Sequence, residues 1–239
     1  MRPLKQGLET ARSILDRIFA RAVQQKPQPF RYRFSSAGDP CLRALAYDAL
    51  DADAGLPPTD GARKLTWALS ATCGTAVGEH LERAAVDLGG FIRQCYAEFD
   101  TGGVWIKGEA DLADRWTLFD FKLVGEPAWE KIESKPNPKH VGQVNGYAVA
   151  LGRKRWVLFY IRATSIFDGK HEVPEARIYE GEASVEKARD LCSVWEEVER
   201  LRASKTLPER VWGASPLRWP CGWCRHLQRC GPTEEESKP

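Results

Sequence analysis

The order of its predicted elements places this 239-residue chain in the α/β (α+β) class. Strand-like segments rich in β-branched and aromatic residues recur at 91–100, 104–112, 115–123, 155–162 and 176–180. Helical patterns precede, interrupt and follow them, at about 62–88, 139–151 and 183–203. There is no internal repeat, and no low-complexity tract outside the acidic Glu234–Glu236. Strands in one run with helices on either side indicate a sheet domain and not a bundle or a sandwich.

Taken in chain order, residues 4–24 set Leu4, Leu8, Ala11, Leu15, Ile18 and Ala22 at helical spacing, with Arg12, Arg17 and Arg21 elsewhere on the surface. This predicts a basic amphipathic helix, ended by Lys26-Pro27-Gln28-Pro29. An extended run, Phe30–Phe34, leads to Pro40, which suits the first turn of a helix carrying Cys41, Arg43 and Tyr47. Asp51–Asp60, with Gly55, Pro57 and Pro58, reads as a loop. The long helix after it contains Gly74, Gly78, His80 and Glu82, and Gly89-Gly90 stops it; its small residues would allow close approach to the sheet. The segments 104–112 and 115–123 form a hairpin about Ala113-Asp114. The predicted organisation is a basic N-terminal helix and linker (1–34), a core (35–204) and a cysteine-bearing C-terminal segment (205–239).

Net charge of +2 conceals a division along the chain. Residues 1–43 hold nine Lys/Arg against three Asp/Glu, residues 44–121 six against thirteen, and residues 205–230 five against one. Basic ends around an acidic middle suit phosphate-binding surfaces around a cation-binding centre, although uneven solvated faces give the same split. No segment approaches the ~20 apolar residues of a membrane span, and the basic N-terminus lacks the apolar block of a secretory signal. The expected setting is cytoplasmic, without membrane association. Seven cysteines then suggest metal ligation more than disulfides. Cys73, Cys95 and Cys192 lie among apolar neighbours and are expected in the core.

Four constellations carry chemistry. The hairpin holds Asp111-x8-Asp120-x-Lys122, and period-2 geometry puts Asp120 and Lys122 on one face with Phe119 and Phe121 on the other. Two carboxylates beside an ammonium suit one or two Mg²⁺ or Mn²⁺ ions and a phosphate; the plainer reading is a salt-bridged hairpin. Gln143 and Tyr147, at i and i+4 on the following helix, share a face that suits a phosphate or a metal-bound water. His80 is the expected helical metal ligand, with Glu79 and Glu82 as alternatives. Cys221-x2-Cys224-x5-Cys230 needs a fourth ligand from elsewhere, Cys41 or His226. Cys41 is favoured because it would tie the two basic ends together. Spacing alone does not separate zinc from an iron–sulfur cluster.

In this order, from Cys41 to Cys230, the parts resemble the RecB-like branch of the PD-(D/E)XK nuclease superfamily, most closely its iron–sulfur members. These include the CRISPR-associated adaptation exonucleases, phage exonucleases and AddAB-type nuclease domains. The resemblance implies a restriction-endonuclease-like core, a central mixed sheet flanked by helices, with a cysteine-stapled tail. It implies a metal-dependent DNA exonuclease, with DNA and proteins of recombination, repair or CRISPR adaptation as partners. Asp111, Asp120, His80 and the Phe121 backbone carbonyl would hold Mn²⁺ or Mg²⁺, with Lys122 the catalytic lysine. Gln143 and Tyr147 would act in catalysis and, with Arg43, contact DNA; Cys41, Cys221, Cys224 and Cys230 would hold a [4Fe-4S] cluster. The family's Gly-x3-His pattern is displaced here, because skipping three residues after Gly74 lands on Gly78, two before His80. An endonuclease with the same site, and a non-catalytic zinc-stapled DNA-binding adaptor, are the rival readings.

Overall fold

The computed structural model describes residues 30–56, 65–168, 173–210, 221, 224 and 226–231. The predicted helix at 4–24 and the acidic Glu234–Glu236 lie outside the described residues. Along the chain come α1 (Phe34–Ala37), α2 (Leu42–Asp53), α3 (Leu65–Leu88), β1 (Ile92–Asp100), β2 (Trp105–Ala113) and β3 (Thr117–Val124). They are followed by α4 (Glu126–Lys131), α5 (Pro138–Ala150), β4 (Arg155–Arg162), α6 (Ala163–Phe167), β5 (Ala176–Glu182), α7 (Val185–Ser204) and α8 (Leu227–Cys230).

The strands form one mixed sheet in the order β1-β2-β3-β4-β5. β1, β2 and β3 pair antiparallel through short turns. At the β2–β3 turn, Asp114 Oδ1 accepts from the backbone N–H groups of Trp116 and Thr117, both at 2.6 Å. β3 and β4 are parallel, which requires a crossover, and α4 and α5 provide it. β4, Arg-Trp-Val-Leu-Phe-Tyr-Ile-Arg, lies inside the sheet and is buried along most of its length, which explains its continuous apolar run. β5 pairs antiparallel with β4 at the sheet edge and alternates exposed and half-buried residues.

Helices α5 and α7 are fixed by buried polar clasps. Asn137 caps α5 by accepting from Lys139 N–H at 2.9 Å, with Pro138 at the first helical position. The buried Asn145 side chain donates to Ser184 O and accepts from Ser184 N–H, so the start of α7 is bound to the middle of α5. Phe34, Val144, Leu158, Trp195 and Val198 are sealed in the core between helices and sheet. Each contributes about 1.5–3 kcal/mol of hydrophobic stabilisation. The Phe34 ring lies against the backbone of Gly146, where any Cβ would collide with it.

Several expectations change. Phe34 begins a helical turn instead of ending an extended run, because burial against α5 outweighs its local β preference. Cys95 and Cys192 are buried as expected, but Cys73 is exposed on α3. Gly74 and Gly78 do not mark a tight approach, since a Cβ at either would meet only ordinary contacts. Among the described residues no helix is long and apolar enough to cross a membrane.

Candidate metal centre and cysteine cluster

The β2–β3 ladder runs through Ala113↔Leu118 and Leu112↔Phe119. One position further, where Asp111 would face Asp120, a side chain replaces the ladder: Asp111 Oδ2 accepts from Phe121 N–H at 3.2 Å. Asp120 is buried. Its Oδ2 lies 2.7 Å from Lys122 Nζ, and Gln143 Nε2 donates to its Oδ1 at 3.4 Å. Burial pushes the Asp120 carboxyl up to about 6; the Lys122 ammonium pulls it back and the neighbouring Asp111 adds to the rise.

From α3 the residue that meets this centre is Glu82. It is buried, and its pKa is raised, first by burial and then by Asp111, while Arg93 lowers it from 3.4 Å. His80, two residues earlier, is exposed, and Glu79 is ion-paired with Arg83 on the same helix. Asp111 is therefore the hub between carboxylates from β3 and α3. Asp120 Oδ2 and Glu82 Oε2 are buried without a hydrogen bond, although Lys122 and Arg93 sit at ion-pair distance. Oxygens of this kind suit a hard divalent cation. Among the described residues no three His, Cys, Asp or Glu side chains converge closely enough to hold a single ion. Lys122 and Arg93 supply the positive charge beside these oxygens.

Helix α5 lays a stripe of side chains over the sheet. Its members His140, Gln143 and Tyr147 recur at three- and four-residue spacing. Tyr147 is buried edge-on to Phe34, and burial followed by the Asp120 charge pushes its phenol up to about 12. A Cβ at Gly108 would lie 2.5 Å from the Tyr147 hydroxyl, so that glycine makes room for it. The Phe121 N–H is engaged by Asp111; its carbonyl, expected as a ligand, accepts from no side chain among the described residues. Arg43 points into the protein, donating to Pro208 O and to Tyr47 Oη, and forms a tertiary clamp.

At the other end of the chain, α8 docks on α2. His226 is sealed, with Nε2 2.7 Å from Asp48 Oδ1 and its ring stacked on Tyr47. Arg229 donates to both oxygens of buried Asp51 at 2.6 and 2.7 Å and also contacts the Tyr47 ring, 4.3 Å from its centroid. This contact brings Cys41, at the start of α2, to the C-terminal cysteines. The Cys41 thiol is influenced by Cys230, and Cys224 by Cys41, Cys230 and Cys221; burial is the main cause that raises both. His226, the other candidate for the fourth ligand, is committed to Asp48 through Nε2.

The fold brings Asp111, Asp120, Lys122, Gln143 and Tyr147 together as the sequence leads one to expect, and of the two helical candidates it places Glu82, not His80, beside Asp111. Residues two apart on a helix point to nearly opposite sides, about 160° apart, so only one of the two can face the sheet. His140, which the sequence does not single out, lies on the same stripe through the spacing His140-x2-Gln143-x3-Tyr147.

No protein-family model matches the chain, and no curated protein matches it. Solved structures do. The crystal structure of SSO0001 aligns with a TM-score of 0.56 at 15% identity, covering 92% of this chain and 96% of that one. LHK-Exo, an alkaline exonuclease from Laribacter hongkongensis, aligns with a TM-score of 0.50 at 14% identity, covering 73% and 91%. A phage-related exonuclease from Haemophilus somnus 129PT gives 0.49 at 13% identity, covering 74% and 97%. The first two likenesses establish the fold: a five-stranded mixed sheet flanked by helices, an architecture shared with an alkaline exonuclease.

Proposed function

We propose that this chain is a divalent-metal-dependent DNA exonuclease of the PD-(D/E)XK type, with a [4Fe-4S] cluster on Cys41, Cys221, Cys224 and Cys230. The observation that carries the reading is the pair of buried carboxyls, Asp120 and Glu82, each raised in pKa by burial and further by the half-buried Asp111, with Lys122 beside Asp120, in a fold shared with an alkaline exonuclease. In this reading Asp111, Asp120 and Glu82, with the Phe121 carbonyl, hold Mn²⁺ or Mg²⁺, and Glu82 takes the place first expected of His80. A divalent ion bound there supplies Lewis acidity and a water acidified towards neutral pH. Gln143 fixes the Asp120 carboxylate from its Oδ1 side. Lys122, 2.7 Å from Asp120, positions the attacking water or stabilises charge developing on the phosphate. Tyr147 stays protonated well above neutral pH and serves as a hydrogen-bond donor, not an anion.

The cluster's role is structural: it joins the Cys41 end of the core to the C-terminal segment, where the effect of Cys230 on the Cys41 thiol, that of Cys41, Cys221 and Cys230 on the Cys224 thiol, and the α2–α8 contacts support the ligand set. Zinc on the same thiols is the alternative. DNA is the substrate, and partners from recombination, repair or CRISPR adaptation belong to the same reading. The test uses protein prepared without oxygen and assayed with and without Mn²⁺ on end-labelled linear and circular single-stranded DNA. An exonuclease degrades the linear strand only, needs the metal and is inactive as Asp111→Asn; cleavage of the circle would make it an endonuclease. A colourless preparation holding zinc and no iron would overturn the cluster assignment.

A further inference from the structure

One group on the site face of α5 takes no part in the metal chemistry. His140 Nδ1 lies 2.9 Å from the hydroxyl of Tyr160, a fully buried residue of β4 in register with Lys122. That hydroxyl accepts the backbone N–H of Asn137 at 3.1 Å. Among the described residues the acceptor of its own proton is His140 Nδ1, and the phenol keeps that proton because burial pushes its pKa up to about 12. An Nδ1 that accepts leaves the neutral imidazole protonated at Nε2. The ring is held neutral, its pKa lowered to about 4 first by burial and then by the charges of Lys122 and Lys139. Nε2 has no hydrogen-bond partner among the described residues, and it is not one of the sealed, unpartnered atoms.

The position of this donor is set by its neighbours. Gln143, one turn along the same stripe, donates to Asp120, and Lys122 is the first charge felt by the His140 ring. We propose that His140, oriented by Tyr160, donates its Nε2–H to a phosphate oxygen of the DNA backbone beside Lys122. This inference rests on the nuclease reading. His140 then touches substrate, while Tyr160 is a positioning residue that fixes the tautomer. A neutral donor suits the place, since a second cation next to Lys122 would be repelled and a flexible ammonium would not hold one direction.

Amide substitutions separate the two ring nitrogens. In His140→Gln the new side-chain NH₂ would lie near the position of Nε2, whereas in His140→Asn it reaches only as far as Nδ1. With Mn²⁺ and end-labelled linear DNA, kcat/KM is expected to fall about 10–100-fold in His140→Ala and His140→Asn, and to stay within about fivefold of wild type in His140→Gln. Tyr160→Phe should cost about three- to tenfold and leave Asp111→Asn as the inactive control. Equal activity of the Asn and Gln variants, or wild-type activity in all, overturns the proposal. Independently of activity and of any variant's folding, ¹⁵N NMR of the wild-type imidazole should show the Nε2–H tautomer, and an Nδ1–H tautomer overturns it. If wild-type protein itself degrades no DNA, the nuclease reading fails while the tautomer remains measurable, so the two failures are distinct.

Discussion

Asp120 sits where the fold opposes its ionisation, so its carboxyl is half-protonated near pH 6 and not near 4 as in an unfolded chain. A carboxyl raised on folding stabilises the protein while protonated, fully below pH 4, and that contribution is lost as pH rises through 6. The cost of ionised Asp120 to the metal-free fold at pH 7 is on the order of 2–3 kcal/mol. Asp120→Asn should therefore melt higher than wild type in EDTA at pH 7, with the gap closing towards pH 4, while nuclease activity is lost; a lower melting temperature at pH 7 would contradict this account. Glu82 and His80 give the companion experiment on the facing helix. Glu82 is buried against Asp111 and His80 is exposed, so Glu82→Gln should lower the Mn²⁺-dependent rate roughly 100-fold and His80→Ala less than about twofold. The reverse ranking, read from initial rates, would restore the histidine as ligand. The sequence displayed both residues but not which side of α3 faces the sheet, because the hydrophobic pattern of that helix is too diffuse to fix its rotation to within one or two residues.

At the scale of elements, the strands and long helices were legible because each carries a period of its own: β4 a continuous buried run, β5 an alternation, α7 a Ser184 cap followed by an apolar stripe. The short helices α1, α4 and α6 were not, since four to six residues contain too little periodicity, and their conformation is decided by what they pack on. The docking of α8 on α2 was legible only as an expected pairing of cysteines; the His226–Asp48 and Arg229–Asp51 contacts span 178 residues and leave no local signal. These contacts hold the C-terminal segment alongside any cluster. Arg229→Ala strips buried Asp51 of the guanidinium nitrogen that contacts both its oxygens and should destabilise the cluster-free protein by about 1–3 kcal/mol, measured by urea unfolding. Limited proteolysis should release the C-terminal segment faster in that variant, and unchanged cleavage would show that the thiols alone retain it.

Across the whole molecule, the proposed function sets oxygen ligands from the hairpin and α3 apart from thiols of Cys41 and the C-terminal segment, so two chemically distinct cations would report on different parts of the fold. Mn²⁺ at about 100 times its dissociation constant should stabilise the protein by about 2.7 kcal/mol, raising its melting temperature by several degrees in wild type and not in Asp111→Asn. Chelation of Mn²⁺ should leave the iron in place, as read by absorbance. The division of charge along the sequence suggests an acidic centre, yet Arg43, expected at the DNA, donates to Pro208 O, because a guanidinium satisfies backbone carbonyls as readily as phosphates. One contact inside the sheet links these scales. The Phe121 amide is held by the Asp111 carboxylate and not by a neighbouring strand, so its protection from solvent depends on the residue that would bind the cation. Its hydrogen-exchange rate is then a built-in gauge of occupancy: slow when a cation fixes Asp111, faster when the carboxylate is free to turn, and legible in the intact enzyme without any added label.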